Sequence, residues 1–162
     1  QLLVAPYTPG EILLGKGTAS VVTGIMQAVF VVLVAMFWFR IPFQGSIWLL
    51  SAALLLFIVT AAAIGLCISS FAQSLQQAIV GTFLLLVPMV MLSGFATPIS
   101  SMPEIFQSLT LLNPMRYGLE LIQRIFLEGA SFLDLWPLFA AIMAVTVVAV
   151  LAAVFSFHHK IS

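Results

Sequence analysis

Charged side chains are scarce in this chain of 162 residues, and their scarcity excludes most soluble classes of protein. Only 6% of the residues are charged, whereas 63% are hydrophobic. A soluble globular domain carries roughly 25% charged residues. No acidic or basic residue lies between Arg40 and Glu104, and the net charge is zero, so there is no basic patch for nucleic acid. The composition therefore predicts an integral membrane protein surrounded by lipid, without a nucleic-acid partner.

Residues that usually carry catalysis or bind metals are equally rare. The single cysteine, Cys67, cannot form an internal disulfide. His158 and His159 are adjacent, so they lack the i, i+4 spacing of metal ligands on a helix. The chain has neither a Gly-rich phosphate loop nor an acidic pair within an apolar run. We therefore predict that the chain is not an enzyme and that it takes energy from a partner or an ion gradient.

Four long apolar runs predict four transmembrane helices in an all-α fold. The predicted spans are residues 17–39, 47–70, 78–95 and 135–157. The first run is long enough to cross a hydrocarbon core of about 30 Å at roughly 1.5 Å per residue. Pro88 should kink the third span. In the second span, Ala61, Gly65 and Ser69 form a stripe of small residues, which predicts a helix-packing seam rather than a substrate path.

The segment between the third and fourth spans is neither apolar throughout nor a plain polar loop. Ser101 and Glu104 have the spacing of a capping box, which predicts the start of one short helix. Asn113 is the predicted N-cap of a second helix, with Pro114 at its first position. Charges then recur every four residues on one face of this helix, opposite an apolar face. The charged stripe is Arg116, Glu120, Arg124 and Glu128, and the apolar face is Met115, Leu119, Ile122, Ile125 and Phe126. Residues 101–128 are therefore predicted to form two re-entrant or interfacial helices.

The first 16 residues precede the first predicted span. Thr8, Pro9 and Glu11 fit a second capping box, so a helix should begin there. Residues 1–7 are apolar but too short to span a bilayer, and they fit either a surface segment or a docking element for a soluble partner. The chain has neither an initiating methionine nor a signal-peptide pattern at its start, and we expect it to be the C-terminal part of a longer protein.

Several short motifs, taken in chain order, produce a resemblance to a known family. They are residues 1–6, Glu11 with Gly15 and Lys16, Gly65-Leu66 with Ile68-Ser69-Ser70, Gln76-Gln77-Ala78, Pro88 with Leu92-Ser93-Gly94-Phe95, Pro98 with Met102-Pro103, and Asn113-Pro114 with Arg116-Tyr117. In this order and spacing, the chain resembles ABC-2 type export permeases of the bacterial drug-exporter-like branch. The charged run that usually precedes the first of these motifs is missing.

The resemblance implies a six-span permease whose last four spans are present here. Residues 1–16 would be a cytoplasmic coupling segment and residues 17–162 the permease domain, in a bacterial inner membrane. A second permease subunit, identical or different, would complete the path. Separate ATP-binding cassette subunits would hold ATP and Mg²⁺, so that this chain carries no cofactor. The residues implied in ATPase coupling are Leu2, Leu3, Val4, Pro6, Glu11 and Lys16. Those implied in an external re-entrant element are Ser93, Gly94, Pro98, Pro103, Asn113, Pro114, Arg116, Glu120 and Arg124.

Two functional classes fit these observations, namely an ATP-driven exporter permease and an ion-coupled secondary transporter or channel. A purely structural membrane-assembly subunit is also compatible with the residues. A secondary transporter would need ionisable residues at the membrane midplane, and the apolar runs contain none, which favours the exporter.

The family resemblance and the distribution of positive charges imply opposite membrane orientations. The resemblance puts Lys16 and Lys160 in the cytoplasm and Arg40, Arg116 and Arg124 outside. A positive-inside count mildly favours the reverse. We expect the orientation that the resemblance implies, because the count differs by a single charge.

Overall fold

The computed structural model of the chain describes residues 9–161, and for residues 9, 13 and 157–161 it describes the backbone alone. All regular structure in this range is helical, as the predicted all-α class requires. Helix α1 (Pro9–Leu33) continues into a π-helical segment (Val34–Trp38) and is followed by α2 (Ile47–Phe71), α3 (Leu75–Met91), a 3₁₀ turn (Ile99–Ser101), α4 (Glu104–Thr110), α5 (Pro114–Gln123) with a second π-helical segment (Arg124–Glu128), and α6 (Phe132–Ile161).

Three of the four predicted spans are helices long and apolar enough to cross a membrane. They are Gly10–Trp38 with 29 residues, and Ile47–Phe71 and Phe132–Ser156 with 25 residues each. Helix α3 has only 17 residues, which is about 26 Å at roughly 1.5 Å per residue and therefore shorter than a hydrocarbon core of about 30 Å.

The span predicted over residues 78–95 ends earlier than expected. The helix stops at Met91, and residues 92–95 form a turn. Gly94 adopts a φ of 88°, a conformation that disfavours other residues. The Ser93 hydroxyl holds the turn, because it donates to the Val90 carbonyl at 2.6 Å and accepts from the Phe95 N–H at 3.2 Å.

Helices α2, α5 and α6 form a central bundle that contains the buried core. Its fully or nearly buried side chains are Leu50, Ala53, Tyr117, Leu121, Ile125, Phe126, Leu135 and Ile142. Helices α2 and α6 run parallel, since Thr60 meets Thr146 with their hydroxyls 2.6 Å apart, and Cys67 meets Ala149 further along. Buried hydroxyl contacts of this kind join helices in membranes. The bundle is therefore held by apolar packing together with a hydroxyl contact.

All three tryptophans lie at one end of the molecule, which we call the tryptophan end. Trp38 ends the first π-helical segment, Trp48 lies in the first turn of α2, and Trp136 lies in the first turns of α6. Their side chains are exposed. Tryptophan is enriched at membrane–water interfaces. The tryptophan end is therefore expected to lie at one of the two boundaries between the bilayer and water.

A tight backbone contact closes the tryptophan end. The Gln44 N–H donates to the Phe126 carbonyl at 3.2 Å. A Cβ atom added to Gly45 would lie only 2.0 Å from the Ile125 carbonyl oxygen, so only glycine fits there. Gly129, at a φ of 63°, ends the second π-helical segment directly beside Gln44. The connection between α1 and α2 is therefore fastened to the C-terminal end of α5.

Candidate functional site

Helix α5 runs from the interior of the central bundle to the tryptophan end. Near its start, Gly118 lies against α2, because a Cβ added there would be 2.5 Å from Cδ2 of Phe57. Phe57 lies ten residues after Ile47, the first residue of α2, which is about 15 Å along the helix. The first turns of α5 therefore lie beside the middle of a membrane-length helix.

Asn113 connects the beginning of α5 to the end of α3. Its side-chain oxygen accepts the Met115 N–H at 3.0 Å, with Pro114 next to it in the first turn, so the predicted N-cap is confirmed. Its amide nitrogen also donates to the Met89 carbonyl at 2.7 Å, and the side chain is buried. One amide therefore satisfies both helix ends.

The capping box predicted from Ser101 and Glu104 is wrong. Helix α4 begins at Glu104 with Pro103 as its N-cap residue, and no side chain caps it. The Ser101 hydroxyl donates to the Pro98 carbonyl at 2.7 Å instead, because Ser101 belongs to the preceding 3₁₀ turn.

The buried face of α5 differs from the predicted apolar face. Met115, Leu119 and Ile122 are only half-buried, whereas Ile125 and Phe126 are buried as predicted. The face that enters the core is instead Pro114, Tyr117, Gly118, Leu121 and Ile125. This shift arises because α5 packs against both α2 and α6, which requires a broader contact face than one apolar stripe.

The four charges of α5 and of the π-helical segment that follows it have different surroundings. Arg124 pairs with Glu128 through Nε and Oε2 at 3.4 Å on the exposed surface of the π-helical segment. Arg116 instead donates from Nη1 to Oγ1 of Thr110, and its Cζ atom lies 5.9 Å from the centre of the Tyr117 ring. Its Nε atom is buried without a hydrogen-bond acceptor among the described residues.

Arg116 lines a cavity of about 180 Å³, which we call the Arg116 pocket. The other lining residues are Ser93, Gly94, Ile99, Leu119, Glu120 and Gln123. Four members of the predicted re-entrant element, Ser93, Gly94, Arg116 and Glu120, therefore meet here. Pro98 and Pro103 lie at the N-terminal boundaries of the 3₁₀ turn and α4, outside this pocket.

The predicted packing seam does not contact another described helix closely. Ala61, Gly65 and Ser69 are exposed, and a Cβ added to Gly65 would meet nothing within 4 Å. Helices α1 and α2 approach each other elsewhere, because a Cβ added to Gly24 would lie 2.6 Å from Cγ2 of Ile58. The seam stays a prediction, and it would concern a helix outside the described part of the chain.

A groove of about 1060 Å³ lies between α1 and α2, and we call it the α1–α2 groove. The seam residues line it from α2. A row of polar side chains lines it from α1, namely Lys16, Ser20, Thr23 and Gln27. This row did not figure in the site predicted from the sequence, although its spacing of four, three and four residues places it on one helix face. A polar row in a membrane-length helix is typical of a surface that faces water or protein rather than lipid.

The predicted coupling residues fall at the start of α1 or before it. Leu2, Leu3, Val4 and Pro6 lie outside the described residues. Glu11 is exposed in the first turn of α1, and Lys16 follows in its second turn at one end of the groove. Because α1 is continuous from Pro9 to Leu33, these two residues belong to the same rigid helix as the first span. Their role in coupling stays a prediction.

Comparison with known proteins yields related permeases. The chain is 32% identical over 161 residues to the probable multidrug ABC transporter permease YbhR of Escherichia coli K12, covering 99% of this chain and 44% of that protein. It is 36% identical over 148 residues to the inner membrane transport permease YhhJ of the same organism, covering 90% and 39%. A third relative, the probable multidrug ABC transporter permease YbhS, is 33% identical over 132 residues, covering 79% and 34%.

The chain thus spans less than half the length of these relatives. No solved structure matches it. The family model of the ABC-2 type transporter matches residues 1–127, which is most of the chain. The match ends inside the second π-helical segment, so it includes α1 to α5 and the Arg116 pocket. This chain belongs to the ABC-2 type transporter family.

Proposed function

We propose that this chain is the permease part of an ABC exporter in a bacterial inner membrane, forming part of the translocation path while a separate ATPase supplies the energy. The observation that carries the proposal is the family match over residues 1–127, which includes the segment before the first membrane-length helix. A second permease subunit would complete the path, and ATP and Mg²⁺ would bind to the ATPase.

The α1–α2 groove supports a path for amphipathic molecules. Its polar row includes Thr23 and Gln27, while Val32, Leu54 and Phe57 give it apolar walls. A binding surface with apolar walls and a few polar groups is typical of small-molecule sites. Two of the relatives are named as probable multidrug permeases, which is consistent with cargo of this kind.

Coupling to the ATPase would use residues 1–16. Leu2, Leu3 and Val4 offer apolar side chains, and burying one of them in a partner stabilises the contact by roughly 1.5–3 kcal/mol. Movement received there would pass through Glu11 and Lys16 into the first span, since α1 has no break between Pro9 and Leu33.

An ion-coupled transporter is the alternative. Among the described residues, the charged groups that line the pocket beside the middle of α2 are Arg116 and Glu120, and both lie outside the apolar runs of the sequence. Arginine stays protonated in proteins, so Arg116 cannot relay protons. The family match over residues 1–127 favours the exporter.

The proposal is tested by reconstituting the full-length permease with its co-expressed ATPase and measuring ATP hydrolysis with and without amphipathic compounds. Leu3→Asp should weaken the permease–ATPase contact by about tenfold or more and abolish the stimulation, because a charge replaces a buried aliphatic group. Membrane insertion of the variant should be normal.

The matched control is Leu133→Asp, which places the same charge on an exposed leucine at the tryptophan end. It should leave stimulation intact. Stimulation that survives Leu3→Asp with the ATPase still bound would contradict the coupling role. Transport that stops when ion gradients are dissipated, with ATP present, would favour the alternative.

A further inference from the structure

We propose that the Arg116 pocket binds the acidic group of an amphipathic organic anion on its way through the membrane. This inference rests on the proposed export function and names a substrate class within it. Three observations support it, namely the depth of Arg116 in the bundle, its incomplete hydrogen bonding and the cavities that adjoin its pocket.

Arg116 lies deep in the bundle. Its neighbour Gly118 lies against Phe57, about 15 Å from the beginning of α2. Ionisable side chains at such depths are costly in lipid and are usually found where a protein binds or moves polar cargo. Arg124, by contrast, lies in the π-helical segment that contacts the α1–α2 connection at the tryptophan end.

The Arg116 guanidinium is incompletely paired. It makes a hydrogen bond to the Thr110 hydroxyl, and its Nε atom has no acceptor among the described residues. Glu120 lines the same pocket, yet the two side chains form no ion pair in the described structure. A guanidinium presents donors in a planar fork that matches a carboxylate, sulfonate or phosphate. An anionic group in the pocket would therefore give this guanidinium an acceptor in addition to the Thr110 hydroxyl.

The Arg116 pocket is small and adjoins a larger, mainly apolar cavity. A volume of about 180 Å³ corresponds to roughly six water molecules, enough for an acidic head group but too small for a drug-sized molecule. A second cavity of about 290 Å³ shares Ser93 and Leu119 with the Arg116 pocket and is otherwise lined mainly by apolar residues. This second cavity in turn shares Phe57 and Ile122 with the α1–α2 groove.

The apolar cavity therefore adjoins the α1–α2 groove on one side and the Arg116 pocket on the other. An amphipathic anion could lie with its apolar body in the middle cavity and its acidic group on Arg116. Glu120, one helical turn closer to the tryptophan end, would repel that acidic group and so limit how tightly the anion is held.

The test compares two probes that differ only in their head group, pyrenebutyrate and pyrenebutanol. The full-length permease with its ATPase is placed in phosphatidylcholine nanodiscs, and each dissociation constant is measured by energy transfer from tryptophan to pyrene. The wild-type protein should bind the anion more tightly than the alcohol. Arg116→Gln should weaken pyrenebutyrate binding by about tenfold and leave pyrenebutanol binding within about twofold.

Two further variants separate binding from folding. Glu120→Gln should tighten pyrenebutyrate binding by about threefold, because it removes a like charge from the pocket. A purely structural role of Arg116 gives no reason for that gain. Arg40→Gln removes the same charge from the exposed α1–α2 connection and should leave the preference between the two probes unchanged.

Several outcomes would overturn the inference. They are equal wild-type affinities for the two probes, an equal loss of affinity for both probes in Arg116→Gln, and the absence of an anion-specific gain in Glu120→Gln. If Arg116→Gln fails to fold, the Glu120→Gln measurement decides the question. A last arm replaces part of the phosphatidylcholine by phosphatidylglycerol. If this weakens pyrenebutyrate binding in the wild type but not in Arg116→Gln, a lipid head group occupies the pocket and the assignment to an exported anion is wrong.

The export function is judged by a separate readout, namely probe accumulation driven by ATP in proteoliposomes. A complex that binds pyrenebutyrate through Arg116 but does not move either probe would refute the exporter and leave the anion site standing. A complex that exports both probes without an Arg116-dependent preference would support the exporter and refute the anion site.

Discussion

The central bundle and the helices beside it are built on different principles. Within α2, α5 and α6, side chains such as Leu121 and Ile142 are completely inaccessible. Helix α3 buries no side chain at all, and Leu84 in its middle is 77% exposed. The core thus depends on the short, amphipathic α5, whereas the apolar α3 contributes little to it. Length and apolarity predict which helices cross a membrane, but they do not predict which ones pack together.

The difference in burial between α3 and α5 follows from the lipid that surrounds the helices. Lipid tails are as apolar as leucine, so an exposed leucine on α3 has no tendency to bury itself. Helix α5 and the turn before it contain polar backbone groups, a proline and charged side chains. In lipid these polar groups need hydrogen-bond partners from the protein. Such partners are found through part-buried hydrogen bonds: Asn113 donates to the Met89 carbonyl, Tyr117 to the Leu111 carbonyl and Arg116 to the Thr110 hydroxyl. The polar helix therefore organises the bundle.

The largest expected effect in this comparison is that of Gly45→Ala. A Cβ there would lie 2.0 Å from a backbone carbonyl oxygen, so the α1–α2 connection must move away from α5. The variant should lose about 3 kcal/mol or more of stability from overpacking and from the lost Gln44–Phe126 hydrogen bond. Thermal unfolding of the detergent-solubilised full-length permease measures this loss.

The matched control for this variant is Gly15→Ala in α1, where an added Cβ meets nothing within 4 Å. It should be neutral or slightly stabilising, because alanine is the better helix former. Equal melting temperatures of the two variants would show that the contact between the connection and α5 does not hold the tryptophan end together.

A smaller effect is expected for Leu121→Ala, compared with Leu84→Ala in α3. Removing a fully buried leucine leaves a cavity and costs about 2–5 kcal/mol in soluble proteins. We expect the lower end of this range, because the transfer of leucine to lipid costs little. Leu84→Ala should cost less than about 1 kcal/mol. Unfolding of both variants in mixed micelles measures the difference, and equal losses would mean that α3 is packed in the assembled protein.

The features that could be predicted from the sequence are those that depend on neighbouring residues in the chain. The all-α class follows from apolar runs, and the N-cap at Asn113 follows from a side chain that can reach its own helix. The polar row that includes Thr23 and Gln27 could also be predicted from its helical spacing, provided that the polar residues of α1 are considered together rather than one by one.

The features that could not be predicted depend on contacts between distant segments. The buried face of α5 is decided by Gly118 fitting against Phe57, 61 residues away in the chain, and the sequence near Gly118 gives no sign of it. The Ser101 hydroxyl was predicted to bond the Glu104 N–H, but it donates to the Pro98 carbonyl because Ser101 lies in the 3₁₀ turn. The depth of Arg116 follows from the same packing. It could not be predicted, because Arg116 lies outside every apolar run of the sequence.

The smallest effect in this comparison is expected for Gly65→Leu, at the predicted packing seam. Within the described chain the position is open, so the larger side chain should change the melting temperature of the permease alone very little. Leucine is also the better helix former by up to about 1 kcal/mol. Gly24→Leu is the matched control, because an added Cβ there would lie 2.6 Å from Ile58 and should force α1 away from α2. The informative measurement is made on the assembled complex, by its yield and its size-exclusion profile. If Gly65→Leu lowers assembly while leaving the permease itself stable, a helix from outside the described residues packs on the seam. If it changes neither, Ala61, Gly65 and Ser69 form an open wall of the α1–α2 groove, and their small size widens this groove rather than joining two helices.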